Sequence, residues 1–290
     1  MKVIPESELI INPDGSVYHL HLRPEQIADT IITVGDPGRV AGITKHFDSI
    51  EHKVQYREFL THTGMLGLKR LTVISTGIGT DNIDIVFNEL DALINIDLKT
   101  RTVKDEIMSL QIIRLGTSGA VSEEVELDSI LLSECAIGME GLMSYYKQDA
   151  SIQETLLAEA FLNHIHLSFP SVYPYAAFAD SGLLERFDAI GNRGMTLTAP
   201  GFYAPQGRQL RFTSQSQDLI PLIRSFRHLN YHVANLEMET SGIYGLGKHL
   251  GHQCLSINAI VAHRTKNIFS KDPGKVIDRM IKQALDIIVN

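Results

Sequence analysis

The sequence predicts one α/β domain around a largely parallel central sheet, and three observations carry that prediction. Short β-branched runs alternate with helical apolar patterns from one end of the chain to the other. No Pro/Gly/Ser-rich linker and no internal repeat interrupts them, so residues 1–290, 44% hydrophobic, read as a single domain able to bury a large core. Several runs end at glycine-containing loops, and in a parallel sheet ligands bind beyond the carboxyl ends of the strands.

Taken in order, residues 1–18 form a polar, turn-rich N-terminal extension in which Asn12-Pro13-Asp14-Gly15 reads as a turn. Tyr18-His19-Leu20-His21-Leu22 then alternates like a strand, placing His19 and His21 on one face. Residues 30–34 are β-branched and lead through Gly35-Asp36-Pro37-Gly38-Arg39 into a short helix ending near His46. A second strand, residues 71–75, runs into Thr76-Gly77-Ile78-Gly79-Thr80. Thr80 or Asp81 is the expected cap of a helix whose apolar positions are Ile83, Val86, Phe87, Leu90 and Ile94.

The charged stretch 97–109 reads as a surface insertion. A central strand at 112–115 then opens into a Gly-flanked loop, and 130–132 is another buried strand. Residues 151–164 read as a helix with Ile152, Leu156, Leu157, Ala160 and Phe161 inward. Residues 195–198 lead into an irregular loop ending at Arg208. Helices over 218–229 and from near Asn235 precede a strand at 255–261. Asp272 as cap and Pro273 at the first helical position open a final helix carrying Val276, Ile277, Met280, Ile281, Ala284, Leu285 and Ile288.

Twenty-six basic against thirty-four acidic residues give a net charge of −8, which argues against a nucleic-acid or anionic-membrane surface. An anionic ligand must then be held by local arginines. No run of about 18 apolar residues occurs and the N-terminus does not read as a leader, so a soluble, cytoplasmic protein is expected. Cys135 and Cys254 have no CxxC spacing and read as buried thiols. The pairs His19/His21 and His164/His166 would each share a strand face but lack an acidic or Cys partner at ligand spacing, so no metal is expected.

The chemistry concentrates in a few stretches. Arg114-Leu115-Gly116-Thr117-Ser118-Gly119-Ala120 offers a fixed fork of donors, two hydroxyls and approachable backbone, the makings of an anion site. The same pattern also fits a plain strand ending in a tight turn. With Gly35–Arg39 and the loop at 75–80 it would close a phosphate-sized pocket. Neither GxGxxG nor GxxxxGK is completed, so a small free anion fits better than a nucleotide. Glu237-Met238-Glu239 can accept from a sugar diol and pad its apolar face, although from pattern alone acids at a helix start are better explained by the helix dipole. Phe202, Gln206 and Arg208 offer an aromatic face, an amide and a guanidinium, which match a planar heterocycle with adjacent carbonyl and N–H edges.

These five stretches resemble, in order and rough spacing, the motifs of the nucleoside phosphorylase family, and its uridine phosphorylases most. The likeness extends from His19 to the last helix. It implies a mostly parallel, partly barrel-like sheet flanked by helices, and cleavage of a nucleoside by inorganic phosphate as co-substrate, with no other cofactor. Gly35, Arg39, Arg114 and Thr117 are similar to the phosphate ligands. Arg57 resembles an arginine lent across a dimer interface to the neighbour's phosphate, and His19 a histidine that crosses it to the ribose 5′-hydroxyl. Glu239 and Met238, with Glu237 beside them, would hold the ribose. Phe202 would pack on the base, and Gln206 and Arg208 would read its edges. Arg114, Glu239, Arg208 and Gln206 are the expected catalytic set.

The resemblance thus implies nucleoside and phosphate as partners and a homodimer unit with shared active sites, with a trimer of dimers as the larger assembly. Val261-Ala262-His263-Arg264-Thr265 resembles the uridine branch, although His263 stands where Asn is more familiar and no acid is present to protonate a purine. Glu58 and Ile78 match two ligands of a monovalent-cation site of some relatives, but Asn82 replaces the third, so none is expected. A purine nucleoside phosphorylase, a hydrolytic nucleosidase and a non-catalytic nucleoside-binding protein are the alternatives.

Overall fold

A computed structural model describes residues 2–147, 149–214 and 218–290; Met1 of the N-terminal extension lies outside them. In chain order the elements are β1 (Thr30–Val34), α1 (Pro37–Thr44), β2 (Ser49–Tyr56), β3 (Phe59–Leu66), β4 (Lys69–Ser75), α2 (Thr80–Asn95), β5 (Ile96–Asp97), β6 (Thr102–Val103), β7 (Gln111–Ala120) and β8 (Ile130–Gly138). There follow α3 (Ile152–Ile165), β9 (Tyr175–Phe178), α4 (Ser181–Arg186), β10 (Asn192–Thr198), α5 (Leu219–Ser225), β11 (Val233–Glu237), α6 (Thr240–Leu250), β12 (Gln253–His263), β13 (Ile268–Phe269) and α7 (Pro273–Val289).

Everything is arranged around β7. One edge pairs with β12 along its whole length, in parallel. The other edge pairs with β1 through Arg114 and with β11 only from Gly119, leaving residues 115–118 unpaired on that side. Such a change of partner opens a crevice at strand ends. The circuit β7–β12–β8–β10–β11–β7 closes into a five-stranded barrel, while β1, β4, β3 and β2 extend the sheet outward. The barrel-like, helix-flanked sheet implied by the resemblance is present. β7 runs parallel to β1 and β12, and β10 to β8 and β11, whereas the β7–β11 and β8–β12 pairs that complete the barrel, the β2–β3–β4 margin, β9 and β13 are antiparallel.

Packing follows the apolar patterns. Ile83, Val86, Phe87 and Leu90 of α2 join Ile243 and Leu246 of α6 against one side of the sheet. Val276, Met280, Ile281, Ala284 and Leu285 of α7 pack with Val40 and Ile43 of α1 on the other. Asp272 caps α7 through the Lys275 N–H, as its position before Pro273 implies. Among the described residues no helix is long and apolar enough to cross a membrane.

Several local expectations are corrected. Residues 18–20 form a turn rather than a strand, and His21 has φ of 52°, so it does not share a strand face with His19. His164 and His166 sit at the end of α3 rather than on a strand. The α2 cap is Gly79, not Thr80 or Asp81, because its φ of 96° turns the chain in a way a side chain resists. On α3 the buried stripe is Leu157, Phe161 and Ile165; Ile152 and Leu156 lie on the adjacent stripe and are exposed. The helix expected near Asn235 is the strand β11, with the helix beginning at Thr240, and α5 stops at Ser225. The loop expected from Arg114 to Gly119 is strand. Stretch 97–109 carries the small β5–β6 hairpin, turned by Asp97 accepting from the Lys99 and Thr100 N–H groups.

Candidate active site

Arg114 projects from β7 into the barrel mouth, and its path explains Gly116. A Cβ at Gly116 would lie 1.8 Å from Arg114 Nη1, so only glycine lets the guanidinium fold back along its own strand. Its Nη2 donates to Glu239 Oε2 at 2.5 Å and lies 3.2 Å from Glu237 Oε2, while Nη1 donates to Asn258 Oδ1 at 2.9 Å. Burial by itself would lower the pKa of Arg114; the two carboxylates outweigh it and raise it.

The two carboxylates are differently engaged. Glu237, at the end of β11, accepts from Thr198 Oγ1 and from the backbone N–H groups of Glu239 and Thr240, so it caps α6 as well as pairing with Arg114. Glu239 accepts from Arg114 and from the Gly79 N–H at 2.8 Å. Burial pushes its pKa up; Arg114 opposes that and Glu237 adds to it. The helix-start reading therefore describes Glu237, and Glu239 is the carboxylate with more freedom to meet a ligand. Met238, half-buried between them, faces the same cavity.

That cavity, about 960 Å³, gathers most of the residues singled out in the sequence. Gly35, Arg39, Arg114 and Thr117 line it together with Glu237, Met238 and Glu239, and so do Phe202, Gln206 and Arg208. Arg39 reaches in from α1 and donates to the Leu115 carbonyl at 3.1 Å, within the stretch of β7 left unpaired. Burial, then the charge of Arg114, lower the Arg39 pKa. Two guanidiniums crowded together in this way favour a bound anion.

At the opposite end Arg208 lies 3.7 Å over the Phe202 ring and donates to the Phe202 carbonyl and to Gln206 Oε1, each at 2.6 Å. Burial, then Arg264, lower its pKa to about 10, so it remains a cation at neutral pH. Gln206 is buried, and Arg264 donates to its backbone carbonyl at 3.0 Å. Arg264 belongs to this site although sequence reasoning left it out. The signal was the Arg264-Thr265 pair, whose position beside Gly119 depends on the β7–β12 register. His263 also lines the cavity; burial, then Lys266, lower its pKa.

Arg57 and His19 lie outside the cavity of their own chain. Arg57 occupies the exposed turn between β2 and β3 with φ of 53°, beside the Tyr56 ring. His19 is held by Glu89 of α2, which accepts from its ring Nδ1 at 2.7 Å and from the backbone N–H groups of His19 and Leu20.

Residues 29–289 match the family model described as the phosphorylase superfamily. The chain is similar to a Trypanosoma brucei nucleoside phosphorylase described as showing uridine phosphorylase activity, at 30% identity over 97% of this chain and 99% of that one, with a TM-score of 0.87. It is 27% identical over 95% of its length to the uridine phosphorylase of Thermococcus kodakarensis, 87% of which is covered. It is also 24% identical over 94% of its length to the whole of a DeoD-type purine nucleoside phosphorylase of Buchnera aphidicola.

Proposed function

The chain belongs to the phosphorylase superfamily, and from that premise we propose that it cleaves a pyrimidine nucleoside with inorganic phosphate, turning uridine into uracil and ribose 1-phosphate. The observation that carries this reading is the convergence in one cavity of the Arg39/Arg114/Thr117 anion cluster, the Glu239 carboxylate and the Gln206/Arg208 pair.

The physical difficulty is the leaving group. As the C1′–N1 bond breaks, its electron pair departs on uracil and the ribose gains positive charge. Arg208 and Gln206, placed at the base, stabilise the developing anion more than the neutral ring, which is the part of binding that accelerates. Glu239 accepts from the ribose hydroxyls, with Met238 against the sugar and Phe202 against the base. Phosphate held by Arg39, Arg114, Thr117 and Gly35 bonds to C1′, and the uracil anion takes up a proton. No side-chain nucleophile takes part.

Base choice rests on the far end of the cavity. Among the described lining carboxylates, Asp36 caps α1, Glu58 packs beside Gly77, and Glu237 and Glu239 sit on Arg114. None stands with Gln206 to protonate a purine, which favours uracil over the purine bases of the DeoD-type relatives. Arg57, which is exposed, and His19, which is half-buried, serve the neighbour's site in a homodimer, in keeping with their positions outside their own cavity.

Incubation of the pure protein with uridine, with and without phosphate, tests the reading. Uracil and ribose 1-phosphate formed only with phosphate are expected. Uracil formed without phosphate would make it a nucleosidase, and no cleavage of any nucleoside would make it a binding protein.

A further inference from the structure

Two short surface segments outside the cavity are joined by a stack of rings. The chain turns tightly at residues 18–20, where the Val17 N–H donates to the Leu22 carbonyl and the His21 N–H to the Val17 carbonyl. Val17, Leu20 and Leu22 sink into the core with Phe59 of β3 and beside Val54 of β2, which leaves Tyr18, His19 and His21 half-buried. The His21 ring lies on the ring of Tyr56, the last residue of β2, with 3.7 Å between centroids and 21° between planes. The Arg57 Cζ stands 5.5 Å from the centre of the same Tyr56 ring.

The backbone at both ends of this stack is unusual. His21 and Arg57 have φ of 52° and 53°, a left-handed conformation that residues with a Cβ resist. Such residues persist only where the surroundings hold them, and they gather at functional sites.

The holding contacts are visible on either side. Glu89 accepts from the His19 and Leu20 N–H groups and from His19 Nδ1 at 2.7 Å. A carboxylate only accepts, so Nδ1 carries the proton and Nε2 is left for a ligand. Ser75 Oγ donates to the Glu58 carbonyl at 2.6 Å and accepts from the Leu60 N–H at 2.8 Å, which clamps the turn that carries Arg57. The His21–Tyr56 stack ties one clamped segment directly to the other.

We infer that His21 and Tyr56 are positioning residues, which mount His19 and Arg57 as one unit so that both reach the neighbouring subunit's site together. This rests on the homodimer reading above and adds to it two residues that touch no substrate. The stack restrains two surface segments that would otherwise move separately, and order present before the substrates arrive is a cost removed from binding. On that reading Arg57 serves phosphate and His19 the ribose 5′-hydroxyl. Loosening the stack from the His19 side therefore weakens phosphate binding, an effect that a fault confined to His21 would not produce.

The test measures KM for phosphate and uridine in wild type, Arg57→Ala, His21→Asn and His21→Phe, with melting temperature as the check on folding. Asparagine tolerates the left-handed backbone but lacks the ring, whereas phenylalanine keeps a ring. His21→Asn should raise KM for phosphate about fivefold, the worth of one aromatic pair. His21→Phe should return it to within twofold of wild type, and His21→Asn should add nothing in the Arg57→Ala background. Tyr56→Leu cuts the stack from the other side. It should raise KM for uridine about fivefold and leave KM for 5′-deoxyuridine, which lacks the hydroxyl assigned to His19, within twofold. If Arg57→Ala raises KM for phosphate and His21→Asn does not, the linkage is overturned and the homodimer reading stands. A rise in His21→Asn that persists in the Arg57→Ala background also overturns the linkage. Arg57→Ala with a wild-type KM for phosphate, or a wild type that cleaves no nucleoside, overturns that reading and the inference with it.

Discussion

The two ends of the cavity are built by different means. At the inner end Arg114, Glu237 and Glu239 belong to β7, the end of β11 and the α6 cap, and each is buried with several partners. At the outer end Phe202, Gln206 and Arg208 come from one irregular loop and bind mainly each other, Phe202 being 50% exposed and Arg264 tying Gln206 to β12. The inner groups hold the barrel together as well as any ligand. The outer ones can change without disturbing the sheet. On the proposed reading, one scaffold keeps its phosphate and sugar chemistry while its choice of base is set by a loop.

Arg114→Ala should break this contrast most severely. It leaves two carboxylates buried side by side without their cation, at a cost of about 3–5 kcal/mol in stability. It also removes the fork proposed to hold phosphate, so phosphate-dependent uracil release should fall more than about 1000-fold. Denaturant unfolding and a product assay read the two losses; a normally stable variant with near-normal turnover would show that the inner end is not the joint of fold and chemistry.

A smaller, more selective effect is expected from Gln206→Ala. The ratio of uridine to inosine turnover should drop about tenfold, while the melting temperature moves by no more than about 4 °C. An unchanged ratio would remove base reading from this loop.

The smallest effect separates packing from both ends. Burial lowers the pKa of His62, His252 and His263 below the usual 6.5. Below pH 6.5 the unfolded chain takes up protons that these folded sites refuse. Their stabilisation is therefore complete above 6.5 and is lost as pH falls toward the depressed folded values. Melting scans from pH 7.5 to 5 should show a decline of a few degrees, on the order of 1 kcal/mol in all, flattened by His252→Asn. A decline equally steep in that variant would assign it elsewhere.

Legibility varied with how local the determinants were. Residues 30–34 and the Asp272-Pro273 helix start could be read directly, because β-branching and capping act within a few residues. The β2–β3 hairpin escaped notice because β2, with its Glu, His, Lys and Gln, is mostly exposed and its alternation of Ile50, Val54 and Tyr56 is broken by His52. Asn235 and Glu237 looked like helix-start signals, yet they serve a strand, where Asn235 accepts from the Thr196 hydroxyl and Glu237 caps α6. The cavity's residue types were visible as motifs. Arg264 was not assigned, because its place in the cavity depends on which strand lies beside which.

Composition, periodicity and turn chemistry were sufficient for an α/β domain, and short motifs read with the family resemblance singled out Arg39, Arg114, Glu239, Gln206 and Arg208, since each such signal lies within a short stretch of chain. Closure of five strands into a barrel and the change of partner along β7 that opens the crevice were decided only by tertiary structure. They depend on register between segments tens to more than a hundred residues apart, and no local pattern in either segment encodes that register.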